Sequence, residues 1–356
     1  MQESQVTAAA TSQRRATARR KGFTLTELLV VIAIIAVLAG LIAAAAVNAL
    51  KNAKRARIVL EVKNLSGAAE NFKNDYGIYP PNGMNPSGGT VGPMVRADFV
   101  RAFKKAFPRH NEPADLIDAL AGVTPSSTTI VTSGALPNGM TGAEALYFWL
   151  GGFSSDEQYP ISGPGGPSFS TATGSPGEVL ENRNKRYEFD LGRLTPRNDD
   201  GSFLDDTSNA AAGRFVTYVD PQNSAITRRI NLWRYIPAGS TQPLVYFDTS
   251  RHKPYQYDPY ASATANNVFA LKKVREGKAT AASLQDLAFV DAKFQILHCG
   301  LDDDWGDFGV SASGNSPVPT VAQLEPYLFP KGVYIGPIAD TLTNFTEGEL
   351  SAAAEQ

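Results

Sequence analysis

The chain has 356 residues, 43% of them hydrophobic and 19% charged, with 33 Lys and Arg against 35 Asp and Glu for a formal charge of -2. So even a balance lacks the surplus of Lys and Arg that phosphate contacts require, and no nucleic-acid partner is expected. The single cysteine, Cys299, excludes an intrachain disulfide, and its default reading is a small buried apolar residue.

Residues Met1 to Gly22 are polar, rich in Ala, Thr, Gln and Arg, without apolar periodicity, and are expected to be disordered. Arg14, Arg15, Arg19, Arg20 and Lys21 precede an uncharged run from Leu28 to Leu50. At about 1.5 Å of rise per residue, a helix of that length crosses a hydrocarbon layer of roughly 30 Å. The basic cluster assigns the N-terminal end to the cytoplasm, so the larger C-terminal part lies outside. Glu27 stands at the front of the run, and a charge deep in a bilayer costs on the order of 3 kcal/mol, less near the interface, so a partner is expected. A cut after Gly22 would create one. The new α-ammonium on Phe23 of one copy could meet Glu27 of a neighbour in a staggered parallel bundle, offsetting both desolvation costs.

The segment Lys21-Gly22-Phe23-Thr24-Leu25-Thr26-Glu27 and the apolar helix after it resemble the processing and methylation segment of type IV prepilins and type II secretion pseudopilins. The resemblance implies a membrane peptidase and methyltransferase that cuts after Gly22 and methylates Phe23, with Glu27 as the assembly carboxylate. It implies as partners copies of the chain, other pseudopilins, the inner-membrane assembly platform and lipid. It also implies a bacterial inner-membrane location with the large domain periplasmic, or extracellular within a filament. Loss of the leader leaves 28 basic against 34 acidic residues, a formal charge of -6. Two features depart from the family. Gly40 and the run Ala43 to Ala46 stand where many members have a mid-helix proline, and the globular part is far larger, as if residues from about 82 to 290 were inserted.

Beyond Val47 the helix is expected to continue to Tyr76, with a stripe of Val59, Val62, Leu65, Ala69, Phe72 and Tyr76. Gly77 then closes it, and Pro80-Pro81 prevent continuation. Residues 23 to 47 are thus read as the membrane and assembly helix, 48 to 76 as its amphipathic continuation, and 77 to 356 as the globular domain. Short helices are expected over Arg96 to Phe107, Asp115 to Ala121 and Thr141 to Leu150. The last has Thr141 and Glu144 as a capping box, and Tyr147, Phe148 and Trp149 as core. The Gly- and Pro-rich stretches Asn82 to Pro93 and Ser154 to Gly177 read as exposed loops. Strands are expected over Arg186 to Leu191, Arg214 to Val219, Arg229 to Ile236, Leu244 to Phe247 and Lys293 to Leu297. The fold class is α+β, a long N-terminal helix packed by its C-terminal half on an antiparallel sheet, pilin-like, with helical and loop insertions.

Asp302, Asp303, Asp304 and Asp307 form the densest acidic cluster. Four carboxylates with a glycine to turn the loop could supply several of the six to eight oxygens of Ca²⁺, and the resemblance implies a calcium loop in this region. The competing reading is a solvated turn. His110, His252 and His298 show no metal-ligand spacing, and His298 and Cys299 on a strand would face opposite sides. Without a nucleophile elbow or phosphate loop, the chain reads as a non-enzymatic filament subunit. The alternative is a membrane-anchored extracytoplasmic binding protein or enzyme that does not polymerise.

Overall fold

The computed structural model describes residues 22–82, 93–122, 139–167, 169–170, 183–195, 215–251, 257–258, 268–306 and 320–354. The leader 1–21, His252 and Asp307 lie outside the described residues. The described chain falls into two compact units that divide between Lys51 and Asn52.

Helix α1 runs from Leu25 to Tyr76, 52 residues or about 78 Å. From Gly22 to Ala53 every residue is exposed, and the exposed side chains include Leu28, Ile32, Ile35, Leu38, Leu41 and Ile42. It is the one helix among the described residues long and apolar enough to cross a membrane. In the second unit the same helix buries Ile58, Val62, Leu65, Ala68, Ala69 and Phe72. These positions recur at three and four residues and form one stripe, as the sequence implies, although Val59 and Tyr76 flank it half-buried. At its end Gly77 adopts φ +71° and donates to the Lys73 carbonyl at 2.7 Å, an αL cap.

The stripe packs into the main core with α2 (Pro93–Ala106), α3 (Ala114–Leu120) and α4 (Gly142–Leu150). Helix α4 is buried along its whole length, and Thr141 and Glu144 form the expected capping box. Trp149 sits against Phe72, Phe99 and Phe103, which joins three helices at one indole, and its Nε1 donates to the Pro81 carbonyl at 2.7 Å.

The strands are short and antiparallel. Phe215–Val219 pairs with Thr227–Asn231, which also pairs with Phe169–Ser170. A second three-stranded sheet places Gln295–His298 between Val245–Phe247 and Leu342–Thr343. The α+β class therefore holds, but the described strands make six small sheets rather than one.

Three local expectations need correction. Arg186 to Leu191 is not a strand. The Arg186 and Tyr187 N–H groups both donate to the Leu150 carbonyl, and the Asp190 carboxylate starts a 3₁₀ turn by accepting from Gly192 N–H. Arg229 to Ile236 is two strands, Thr227–Asn231 and Arg234–Tyr235, belonging to different sheets. Within the expected exposed loop after Ser154, Pro160 to Gly163 is buried. There the Glu112 carboxylate accepts from Ile161 N–H, Ser162 N–H and the Ser162 hydroxyl. Three donors on one buried carboxylate hold this polar backbone inside.

Candidate functional site

Gly22, Phe23 and Thr24 precede α1 outside regular structure, and Phe23 is 77% exposed. The Gly22–Phe23 peptide bond is therefore not locked into the helical hydrogen-bond ladder. A Cβ built on Gly22 meets nothing within 4 Å, and its backbone is not in the left-handed region. Nothing among the described residues requires glycine there.

The first turn of α1 gives Glu27 a local role that the charge argument did not contain. Thr24 N–H donates to Glu27 Oε2 at 2.9 Å and the Thr24 hydroxyl donates to the same oxygen at 2.8 Å. Glu27 N–H returns a bond to Thr24 Oγ1 at 3.2 Å. This is a capping box, with the acid at the third helical position where the macrodipole favours it. The Thr-x-x-Glu spacing of such a box stands in the sequence at Thr24 and Glu27.

Where α1 enters the second unit, its polar face is pinned to distant segments. Lys54 Nζ donates to the Leu301 carbonyl at 2.8 Å and pairs with Asp303 Oδ2 at 3.3 Å. Arg55 pairs with Glu349. Glu61 accepts from Arg193 at 2.6 Å, Glu70 pairs with Lys293 at 3.0 Å, and Asp75 pairs with Arg186 at 3.1 Å.

Around Asp303 lies a group of polar side chains from four segments. His298 ends a strand fully buried, and its Nδ1 accepts from Gly300 N–H at 3.1 Å. In the neutral ring the proton is then on Nε2, which lies 2.9 Å from Ser240 Oγ and donates to it. The Ser240 hydroxyl donates onward to Asp303 Oδ1. Burial pulls the imidazole down to about 4 against the opposing pull of Asp303, so the ring is neutral at pH 7. The proton order runs His to Ser to Asp, the reverse of what a base needs to activate a serine.

His298 and Cys299 do not face apart as strand alternation implied. The strand ends at His298, Gly300 turns at φ +100°, and ligand atoms of His298, Cys299 and Asp303 lie within 4.8 Å of one another. Both imidazole nitrogens are already engaged. Burial, helped by Asp303, Asp302 and Asp340, raises the Cys299 thiol far above its ordinary range. A thiolate ligand is therefore disfavoured.

The four aspartates read as calcium ligands do not converge as a set among the described residues. Asp302 accepts from Asp304 N–H at 3.0 Å, and Asp304 accepts from Gly306 N–H at 2.9 Å, both as turn formers. Asp303, in the left-handed region at φ 58°, is occupied by Lys54 and Ser240, and Asp307 lies outside the described residues. Asp340, which the sequence did not single out, reaches this loop and accepts from Leu301 N–H at 2.7 Å. Burial raises the pKa of Asp302 and of Asp340. Lys54, Ser240 and Asp340 were missed because no periodicity links residues so far apart in sequence.

Among known proteins, the family model described as the prokaryotic N-terminal methylation motif matches residues 17–43. No curated protein and no solved structure matches the chain. The motif covers the exposed head of α1 and implies processing by a prepilin peptidase and assembly with other pilin subunits. The chain thus carries a type IV pilin-like signal at the head of a helix long and apolar enough to cross a membrane, the mark of a precursor processed after glycine.

Proposed function

We infer that the chain is a structural subunit of a type II secretion pseudopilus or a type IV pilus-like filament. It is inserted with its N-terminus in the cytoplasm, cut after Gly22, methylated at Phe23 and polymerised through α1. The reading rests on one coincidence: a methylation motif lies on a helix head whose apolar side chains are exposed among the described residues. Such a surface is stable only in lipid or against other helices. Glu27 then exchanges its capping partner Thr24 for the Phe23 ammonium of a neighbour, which supplies charge as well as hydrogen bonds. The work of the subunit is read as mechanical, and the His298, Ser240 and Asp303 group does not oppose this, because its part-buried hydrogen-bond chain is ordered against nucleophile activation.

Mass spectrometry of protein extracted from native membranes tests the reading. An N-terminal peptide beginning with methylated Phe23 is the expected result, whereas a chain retaining Met1 overturns it. Glu27→Val is expected to insert normally and to lower the yield of sheared filaments at least tenfold, and an unchanged yield overturns assembly through this carboxylate.

A further inference from the structure

The acidic loop after the strand Gln295–His298 raises a question independent of filament assembly, namely what balances its charge. Asp302, Asp303 and Asp340 crowd around Cys299, which their charges influence together. Asp340 lies over Gly300, where an added Cβ would fall 2.2 Å from its carboxyl group, so the glycine admits this approach. A loop of carboxylates beside a backbone carbonyl invites a divalent cation. The structure supplies a different one. Lys54 extends from α1 to the Leu301 carbonyl at 2.8 Å and Asp303 Oδ2 at 3.3 Å, with both side chains of the ion pair at most a quarter exposed. Arg55, the next residue on α1, takes up Glu349, whose charge also reaches Asp340.

We propose that the Lys54 ammonium is the resident cation of the 301–306 loop, taking the place of Ca²⁺ and fastening the C-terminal sheet to α1 just past the apolar run. The assignment has three supports. The lysine meets one carbonyl and one carboxylate, the same donor types that a hard cation would use. The remaining acids do not call for a second charge, because Asp302 and Asp304 bind backbone N–H groups within the turn. Asp303 is held on its other oxygen by Ser240, so the carboxylate is oriented toward the lysine from both sides. Asp340 Oδ1 is buried without a hydrogen-bond partner. With the ammonium gone, that oxygen, the Leu301 carbonyl and the Asp303 carboxylate would remain as hard donors.

The test is thermal unfolding of the full-length chain in detergent micelles, in 1 mM EGTA and in 1 mM CaCl₂. The wild type is expected to melt at the same temperature in both, and a midpoint several degrees higher in calcium would overturn the proposal. Lys54→Met is expected to melt about 3–5 °C lower in EGTA and to regain part of the loss in calcium. A Lys54→Met midpoint equal to wild type in EGTA, or one that calcium leaves unmoved, would also overturn it. Lys54→Arg, which keeps a cation, is expected to remain indifferent to calcium. Should Lys54→Met not fold, the chelator response of the wild type and of Lys54→Arg decides the matter.

Discussion

Gly22 has neither a left-handed backbone nor a close neighbour among the described residues, which therefore place no folding constraint on its identity. Gly22→Ala is therefore expected to leave the melting temperature unchanged while abolishing processing, seen as retention of the 22-residue leader on a denaturing gel. A variant that is still shortened would mean that the peptidase does not read this position. His298 carries a different prediction. Its imidazole titrates near 6.5 when exposed and near 4 in the fold, so between those values the unfolded chain binds the extra proton. Stability is fully present above about pH 6.5 and falls as the pH is lowered towards 4, by up to about 3 kcal/mol. His298→Gln should flatten this fall, so that its midpoint drops less than that of the wild type between pH 7 and pH 4.5. Equal slopes would show that carboxylates, not this imidazole, govern acid unfolding.

At the level of elements, α1 was legible almost to the residue because three signals agree on it: an uncharged run, a stripe at three and four residues, and Gly77 with Pro80-Pro81 at its end. Helix α4 was legible because Thr141 and Glu144 cap it locally. The strand expected at Arg186 to Leu191 failed because alternation is a statement about side chains. Its backbone N–H groups were taken by the Leu150 carbonyl and its turn was set by Asp190. The Lys54 contact was invisible for a related reason, since 249 residues separate it from Asp303. Gly67 offers a test of the helix itself. It lies in the interior of α1 with open space around the position of a Cβ. Gly67→Ala should thus stabilise the chain by about 0.5–1 kcal/mol, through lower backbone entropy in the unfolded state. A melting temperature 1–3 °C higher is the expected reading, and a lower one would mean that the position is packed against another chain in the sample.

Across the whole molecule, two kinds of surface meet along one helix. The stretch from Gly22 to Ala53 exposes its apolar side chains throughout, whereas from Ile58 onward the same helix contributes a stripe to a core that includes α2, α3 and α4. Burial of the stripe repays the ordering of the second half, and nothing among the described residues repays the exposure of the first. A chain beginning at Asn48 keeps a turn of helix ahead of Lys54 and Arg55, and so retains their pairs with Asp303 and Glu349. It is expected to be monomeric in aqueous buffer by analytical ultracentrifugation, and to unfold with a midpoint close to that of the full chain in detergent. The full chain, by contrast, should pellet or oligomerise once detergent is removed. If the shortened chain also associated at micromolar concentration, the segment before Asn48 would not be the source of assembly, and a surface of the second unit would have to supply it.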